Sequence, residues 1–167
     1  MKIGAFVGKF YPPHIGHLWV IDNALKDLDQ VYVIISSNKM RNNQISKNQN
    51  FKNLDANIIK GWFEKHYKNN KKVKVAIFDE SNLKPYPQDR DIWAKKFKKQ
   101  FPFVNVKIAD ESYRKYNREF FPECEFYPIE REIVPIHSTQ IRTNPEKYID
   151  YIIPEAKEYF LQRRNYE

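Results

Sequence analysis

Cysteine is nearly absent from this chain, and what little there is excludes several classes of protein. One cysteine, Cys124, in 167 residues cannot build an intrachain disulfide framework and suits a reducing compartment. The four histidines, His14, His17, His66 and His137, have no further Cys or His cluster beside them to complete a tetrahedral zinc set, so no protein-held metal is expected. No stretch reaches the roughly 18 consecutive apolar residues of a membrane span. Gly8, Lys9, Pro12 and Pro13 interrupt the first apolar run before it resembles a signal peptide. The expected location is the cytoplasm, with no membrane partner. A phosphate-binding loop of the form G-x-x-x-x-G-K-[ST] is also missing, which removes kinase and P-loop ATPase chemistry. Internal repeats and low-complexity linkers are absent as well.

What is present is basic. The chain carries 29 Lys and Arg against 21 Asp and Glu, a net +8, which attracts polyanions. Lys65, Lys68, Lys71, Lys72 and Lys74 crowd one turn region, and Lys95, Lys96, Lys98 and Lys99 crowd one helix. Both groups fall on segments that read as solvated faces, with no zinc-finger, helix-turn-helix or RNA-recognition pattern nearby, so polynucleotide binding is the weaker reading. The length suits one domain over 1–167, with C-terminal helices at about 145–165 belonging to it.

The most informative segment is Gly8-Lys9-Phe10-Tyr11-Pro12-Pro13-His14-Ile15-Gly16-His17. It follows the apolar run Ile3 to Val7 and precedes a stretch with Leu18, Ile21, Leu25 and Leu28 on one helical face. That is strand, tight loop, helix. Gly8 permits close backbone approach, and Pro12 and Pro13 keep the helix from starting early. Gly16 leaves room between two histidines that project from the first helical turn, where unpaired N–H groups and the positive dipole end favour an anion. His14 and His17, three apart, can reach the same phosphate. A lone histidine there would be an ordinary solvated cap; the whole set at fixed spacing is not ordinary.

Strand and helix patterns alternate along the rest of the chain. Apolar runs at 31–37, 73–78, 104–109 and, more weakly, 125–129 read as strands, and 51–67 and 89–100 read as helices. The Asn/Lys/Gln-rich stretch 38–50 reads as a polar, mobile loop. This order predicts an α/β fold, a doubly wound parallel sheet of Rossmann-like form, with ligands beyond the carboxyl ends of its strands. Ser36, Ser37 and Asn38, after the second strand, and Asp110, after the fourth, would then face a ligand.

A second segment, Ile136-His137-Ser138-Thr139-Gln140-Ile141-Arg142, has Ser and Thr where they suit a helix start. Arg142 lies one turn further in, where its planar fork can meet phosphate oxygens from two directions. Alone, this is an N-cap followed by a surface arginine. Beside the first segment it reads as a second phosphate contact.

The pattern G-x-F-x-P-x-H-x-G-H at 8–17 resembles the signature of the nucleotidyltransferase superfamily, which includes the class I aminoacyl-tRNA synthetases. The 136–142 segment resembles that superfamily's Ile-Ser-x-Thr-x-x-Arg signature, as found in adenylyltransferases and cytidylyltransferases; His137 stands where the pattern has its first serine. The synthetases are excluded by length and by the lack of a Lys-Met-Ser-Lys-Ser-like loop. The run Thr139 to Tyr148, with Asp150-Tyr151-Ile152 and Pro154, together with the stretch Asp79 to Trp93, is similar to NadR-type nicotinamide mononucleotide adenylyltransferases. In that group the 79–93 region helps hold the nicotinamide, which makes Tyr86 and Trp93 candidate acceptor contacts. Arg90 stands where the group has a tryptophan.

The resemblance implies transfer of AMP from ATP to nicotinamide mononucleotide, giving NAD and pyrophosphate in NAD biosynthesis. His14, His17, Lys9 and Arg142 would be the catalytic charges, and Gly8, Phe10, Tyr11, Gly16, His137, Ser138 and Thr139 would contact ATP. Mg²⁺ would arrive on the ATP phosphates without a carboxylate cage. Two other readings stay open: transfer to a different phosphorylated acceptor such as phosphopantetheine or glycerol phosphate, and a non-catalytic nucleotide sensor or nucleic-acid binder. The choice between nicotinamide and nicotinate, and whether the chain forms a homo-oligomer, are left open by the sequence.

Overall fold

The computed structural model describes residues 1–49, 53–130 and 136–162. Five strands, β1 (Ile3–Gly8), β2 (Gln30–Ser37), β3 (Val73–Asp79), β4 (Val106–Asp110) and β5 (Glu125–Ile129), form one sheet in the order β3-β2-β1-β4-β5, parallel at every pairing. The chain winds outward from β1 to β3, then returns to the other side of β1 for β4 and β5. The carboxyl ends of β1 and β4 therefore diverge, and the crevice of a doubly wound sheet opens there.

Strand alternation sorts the apolar residues onto two faces. Val31, Val33 and Ile35 of β2, with Phe6 of β1, enter one core, which also takes Ile21 of α1 (Ile15–Ala24), Ile59 and Phe63 of α3 (Ala56–His66), Ile141 of α6 (Ser138–Thr143) and Phe160 of α7 (Pro154–Gln162). Ile34 and Ala5, one residue out of phase, enter a second core with Phe78, with Ala94 and Phe97 of α4 (Arg90–Gln100), and with Phe121 just beyond α5 (Arg114–Phe120). Burying a side chain such as Phe63 or Phe97 contributes about 1.5–3 kcal/mol. One position breaks the apolar rule. Val106 and Ile108 of β4 face the first core, and between them Lys107 turns to the second with only 5% of its surface exposed. Its sheet neighbours are Ala5 on β1 and Phe126 on β5, and the small side chain of Ala5 leaves the lysine space on that side.

Two expectations need correcting. The polar stretch 38–50 is not a loop: Lys39–Asn48 forms helix α2, with Asn38 as N-cap accepting from the Arg41 N–H at 3.1 Å. Met40 and Ile45 are its only large apolar residues, so the helix is marked by its cap and carries almost no hydrophobic period. The helix expected over 51–67 begins at Ala56, where the Asp55 carboxylate accepts from the Asn57 N–H at 2.7 Å; residues 51 and 52 lie outside the described residues. The short α5 was not anticipated. α1 stops at Ala24, yet Leu28 beyond it is still buried.

Candidate active site

The loop after β1 is held in one shape by its own side chains. Phe10 sits at φ 51°, a left-handed conformation that costs an L-residue about 1 kcal/mol or more. Edge-to-face contacts with Phe6 (5.3 Å), Phe63 (5.0 Å) and His17 (4.8 Å) fix its ring there. A Cβ on Gly8 would lie 3.1 Å from that ring, so any other residue there would crowd the phenylalanine and push it by a few tenths of an ångström. The Tyr11 hydroxyl accepts from the buried Leu54 N–H at 2.7 Å and donates to Asn53 Oδ1 at 2.8 Å, anchoring the loop to the segment before α3.

The two histidines define the start of α1. His14 is the N-cap, its Nδ1 accepting from the Gly16 N–H at 3.1 Å, and His17 Nδ1 accepts in turn from the His14 N–H at 3.0 Å. Because each Nδ1 is an acceptor, each neutral ring carries its proton on Nε2, and neither needs to be charged to donate to a phosphate. The rings stack with centroids 3.7 Å apart and planes 28° from parallel.

The second segment is fastened to the first. Ser138 Oγ donates to the Pro12 carbonyl at 3.0 Å, and Arg142 donates from Nη1 to the Tyr11 carbonyl at 2.6 Å, from Nε to Gln49 Oε1 at 2.6 Å and from Nη2 to Thr139 Oγ1 at 3.1 Å. Ile153 N–H reaches the Pro13 carbonyl at 3.3 Å. Half-burial lowers the Arg142 pKa, opposed by Tyr11. The hydroxyl proton of Ser138 and three of the arginine's donors are thus committed to joining the two segments.

Two clefts open on either side of the carboxyl end of β1, sharing Phe6, Val7, Gly8 and Ile129 as their common wall. The smaller, about 310 Å³, is lined by Phe10, His14, Gly16, His17 and, from the second segment, His137, Ser138 and Thr139. The larger, about 440 Å³, is lined by Lys9, Ser36, Asn38, Asp110 and a group of rings, Tyr86, Trp93, Tyr113 and Tyr116. Trp93 stacks on Phe97 (5.1 Å, 10°) and donates from Nε1 to Glu80 Oε2 at 2.8 Å, which fixes the plane of its indole. Arg90 lines the same cleft, its Nη1 donating to the Pro87 carbonyl at 3.0 Å.

Lys9 projects from the loop beside β1 with its Nζ buried and unbonded. Burial brings its pKa down to about 8; Arg41 and Arg142 push the same way and Glu80 opposes them. An ammonium held there without a partner is suited to an arriving anion.

The clefts therefore gather most of the residues expected from sequence, but not all. Tyr11 and Ser37 line neither: Tyr11 is 1% exposed and anchors the loop, and the Ser37 carbonyl accepts from the Glu80 N–H at 2.9 Å. Arg142 also lines neither cleft and acts behind the loop. Cleft residues that were missed include Arg41, Glu80, Lys107, Tyr113, Tyr116 and Asn117. The N-cap Asn38 could have disclosed Arg41, and the lone lysine inside Val106-Lys107-Ile108-Ala109 could have disclosed itself as a charge at a buried phase. Among the described residues no group of three or more His, Cys, Asp or Glu converges to hold a metal. None of the described helices is long and apolar enough to cross a membrane.

The Rossmann-like fold recurs in solved structures. A NadR protein in complex with NAD and AMP-PNP superposes with TM-score 0.74 at 21% identity, covering 95% of this chain and 46% of that one. A bifunctional NMN adenylyltransferase/ADP ribose pyrophosphatase from Francisella tularensis, complexed with AMP and a Mn ion, gives 0.62 at 20% identity, covering 99% and 49%. By sequence, the trifunctional NAD biosynthesis/regulator protein NadR of Escherichia coli (strain K12) is 26% identical over 167 residues, 96% of this chain and 41% of that protein. The chain spans about two fifths of the length of the NadR relatives it matches. The Cytidylyltransferase-like family model matches residues 5–144, a span that includes both clefts and the segments 8–17 and 136–142, and the chain belongs to that family.

Proposed function

We propose that the protein transfers AMP from Mg²⁺-ATP to the 5′-phosphate of nicotinamide mononucleotide, producing NAD and pyrophosphate in the cytoplasm. The observation that carries this reading is the division of the site: a histidine-lined cleft and a ring-lined cleft share the end of β1 as their wall, with Lys9 beside it. One side suits a polyphosphate and the other a flat, cationic ring. The similarity to NadR over nearly the whole chain supports a pyridine mononucleotide as acceptor.

A phosphate oxygen of the acceptor attacks the α-phosphorus of ATP in line, the bond from that phosphorus to the bridging oxygen breaks, and pyrophosphate leaves with the bonding electrons. No proton has to be removed from an ionised phosphate, so positioning and charge stabilisation carry the catalysis. His14 and His17 donate from Nε2 to the α- and β-phosphates. Lys9 and Arg41 neutralise charge from the acceptor side, and Thr139 offers its hydroxyl to the departing pyrophosphate. Arg142 keeps Tyr11 and Thr139 in place and brings its charge near the same phosphates. Mg²⁺ bound to the ATP phosphates would supply further charge neutralisation at the departing pyrophosphate, without a protein carboxylate cage to hold it.

The test is pyrophosphate release from the purified protein with Mg²⁺-ATP and, in parallel, nicotinamide mononucleotide, nicotinate mononucleotide, phosphopantetheine or no acceptor. Release with nicotinamide mononucleotide, with NAD formed in equal amount, is the expected result. Release only with nicotinate mononucleotide or only with phosphopantetheine, or none with any acceptor, overturns the proposal.

A further inference from the structure

The inner end of the ring-lined cleft holds two polar groups that the chemistry above leaves unused. Lys107 projects from β4 into the second core, its Nζ 4.1 Å from the ring centre of Phe97, 4.5 Å from Phe121 and 5.2 Å from Trp93. No carboxylate among the described residues pairs with it. Asn117 of α5, also 5% exposed, donates from Nδ2 to the Tyr113 carbonyl at 2.9 Å, and its Oδ1 is buried without a partner. That hydrogen bond fixes which way the amide points, since a flipped amide would set oxygen against the carbonyl of Tyr113. Asn117 and Phe121 are one helical turn apart, the Phe121 N–H bonding the Asn117 carbonyl at 2.8 Å, so the ring beneath Lys107 ties the two residues together.

A buried donor and a buried acceptor left open in one cleft describe the group that would fill them. We infer that Lys107 and Asn117 read the substituent of the acceptor's pyridine ring and select a primary carboxamide over a carboxylate, Lys107 donating to the carboxamide oxygen and Asn117 Oδ1 accepting from its NH₂. This rests on the adenylyltransferase reading above and identifies the residues that set its acceptor preference. A carboxylate has no hydrogen to give Asn117 at neutral pH and would bring a lone pair against Oδ1, which a site built to hydrogen-bond an N–H rejects strongly. Lys107 also suits a neutral substituent. Burial brings its pKa down to about 7, with Cys124 acting weakly the other way, so near neutrality it can donate as an uncharged amine beside a pyridinium ring. The faces of Trp93, Tyr86 and Tyr116 accept that cationic ring.

The experiment compares kcat/KM for nicotinamide and nicotinate mononucleotides at saturating Mg²⁺-ATP in the unaltered protein, Asn117→Leu and Lys107→Met, with thermal unfolding and the KM for ATP as controls on folding. The unaltered protein should favour the nicotinamide form by about tenfold or more. Asn117→Leu should lower kcat/KM for that form about tenfold while changing the nicotinate value much less, so the preference collapses. Lys107→Met should weaken both acceptors and leave the KM for ATP unchanged. Equal use of the two acceptors by the unaltered protein, or an Asn117→Leu effect of the same factor on both, overturns the inference while the adenylyltransferase reading stands. Absence of turnover with either acceptor removes that reading and the inference with it.

Discussion

Replacing Lys107 by methionine should make the protein more stable near pH 6, and the gain should fade as the pH rises. Methionine keeps most of the length and volume of the lysine stem but has no charge to desolvate. In the folded chain burial lowers the lysine pKa from 10.5 to about 7. Each pH unit of that fall is worth about 1.4 kcal/mol, which sets a ceiling of about 5 kcal/mol on the penalty for holding the ammonium in the second core. Loss of the cation–π contacts with Phe97 and Phe121 takes back about 2 kcal/mol. A net gain of about 1–3 kcal/mol near pH 6 follows. Below pH about 7 both the folded and unfolded lysine are protonated and the penalty is fully present. Between about 7 and 10.5 the unfolded chain binds the proton and the folded chain does not, so the stability of the unaltered protein rises with pH and the gap closes near pH 10. Urea unfolding of the two proteins near pH 6 and near pH 10 measures this directly. A variant less stable near pH 6, or a difference that does not change with pH, would refute the desolvation argument.

Three further outcomes can be checked. His17→Ala should lower turnover about a hundredfold by removing one preorganised donor; steady-state rates measure this, and circular dichroism should show a folded protein whose stability drops only by the roughly 1 kcal/mol of a lost cap to the His14 N–H. Tyr11→Phe should cost about 1–3 kcal/mol in chemical denaturation, because the buried Leu54 N–H loses its acceptor, although Tyr11 lines neither cleft. Lys9 should impose a falling limb on kcat/KM for the acceptor mononucleotide above about pH 8, since its ammonium is present below that pKa in the free protein and lost above it. A profile flat from about pH 7 to 9.5 would remove Lys9 from phosphate binding.

Sequence pattern carried the architecture because each strand is a short apolar run and each crossover a separate helix. Its failures share one cause. α2 has almost no apolar period, and α5 is only seven residues long, so neither presents the stripe by which a helix is found; their caps and tertiary contacts define them. The histidine motif was legible for the opposite reason. Gly8, Phe10, His14, Gly16 and His17 act on one another within ten residues, through a ring packed close against the glycine and a cap that uses both imidazoles. Arg142 was legible as a charge and not as a fastener, since its hydrogen bond to the Tyr11 carbonyl spans 131 positions.

Lys107 exposes a limit that better pattern reading alone would not remove. A lysine at the inward phase of a strand conflicts with the local rule, and at most positions it would be replaced by valine or isoleucine with a gain in stability. Here the surroundings are arranged around it: Ala5 gives it width, three aromatic faces receive its Nζ, and Asn117 leaves an acceptor open in the same cleft. A group that destabilises the empty protein and finds its hydrogen-bond partner only on a ligand contributes through binding, where its desolvation has already been met during folding. The stability gain on Lys107→Met and the loss of acceptor use in the same variant are thus two consequences of one arrangement. Measured together, they separate a lysine kept for recognition, which shows both, from one that is merely tolerated in the core, which shows only the stability gain.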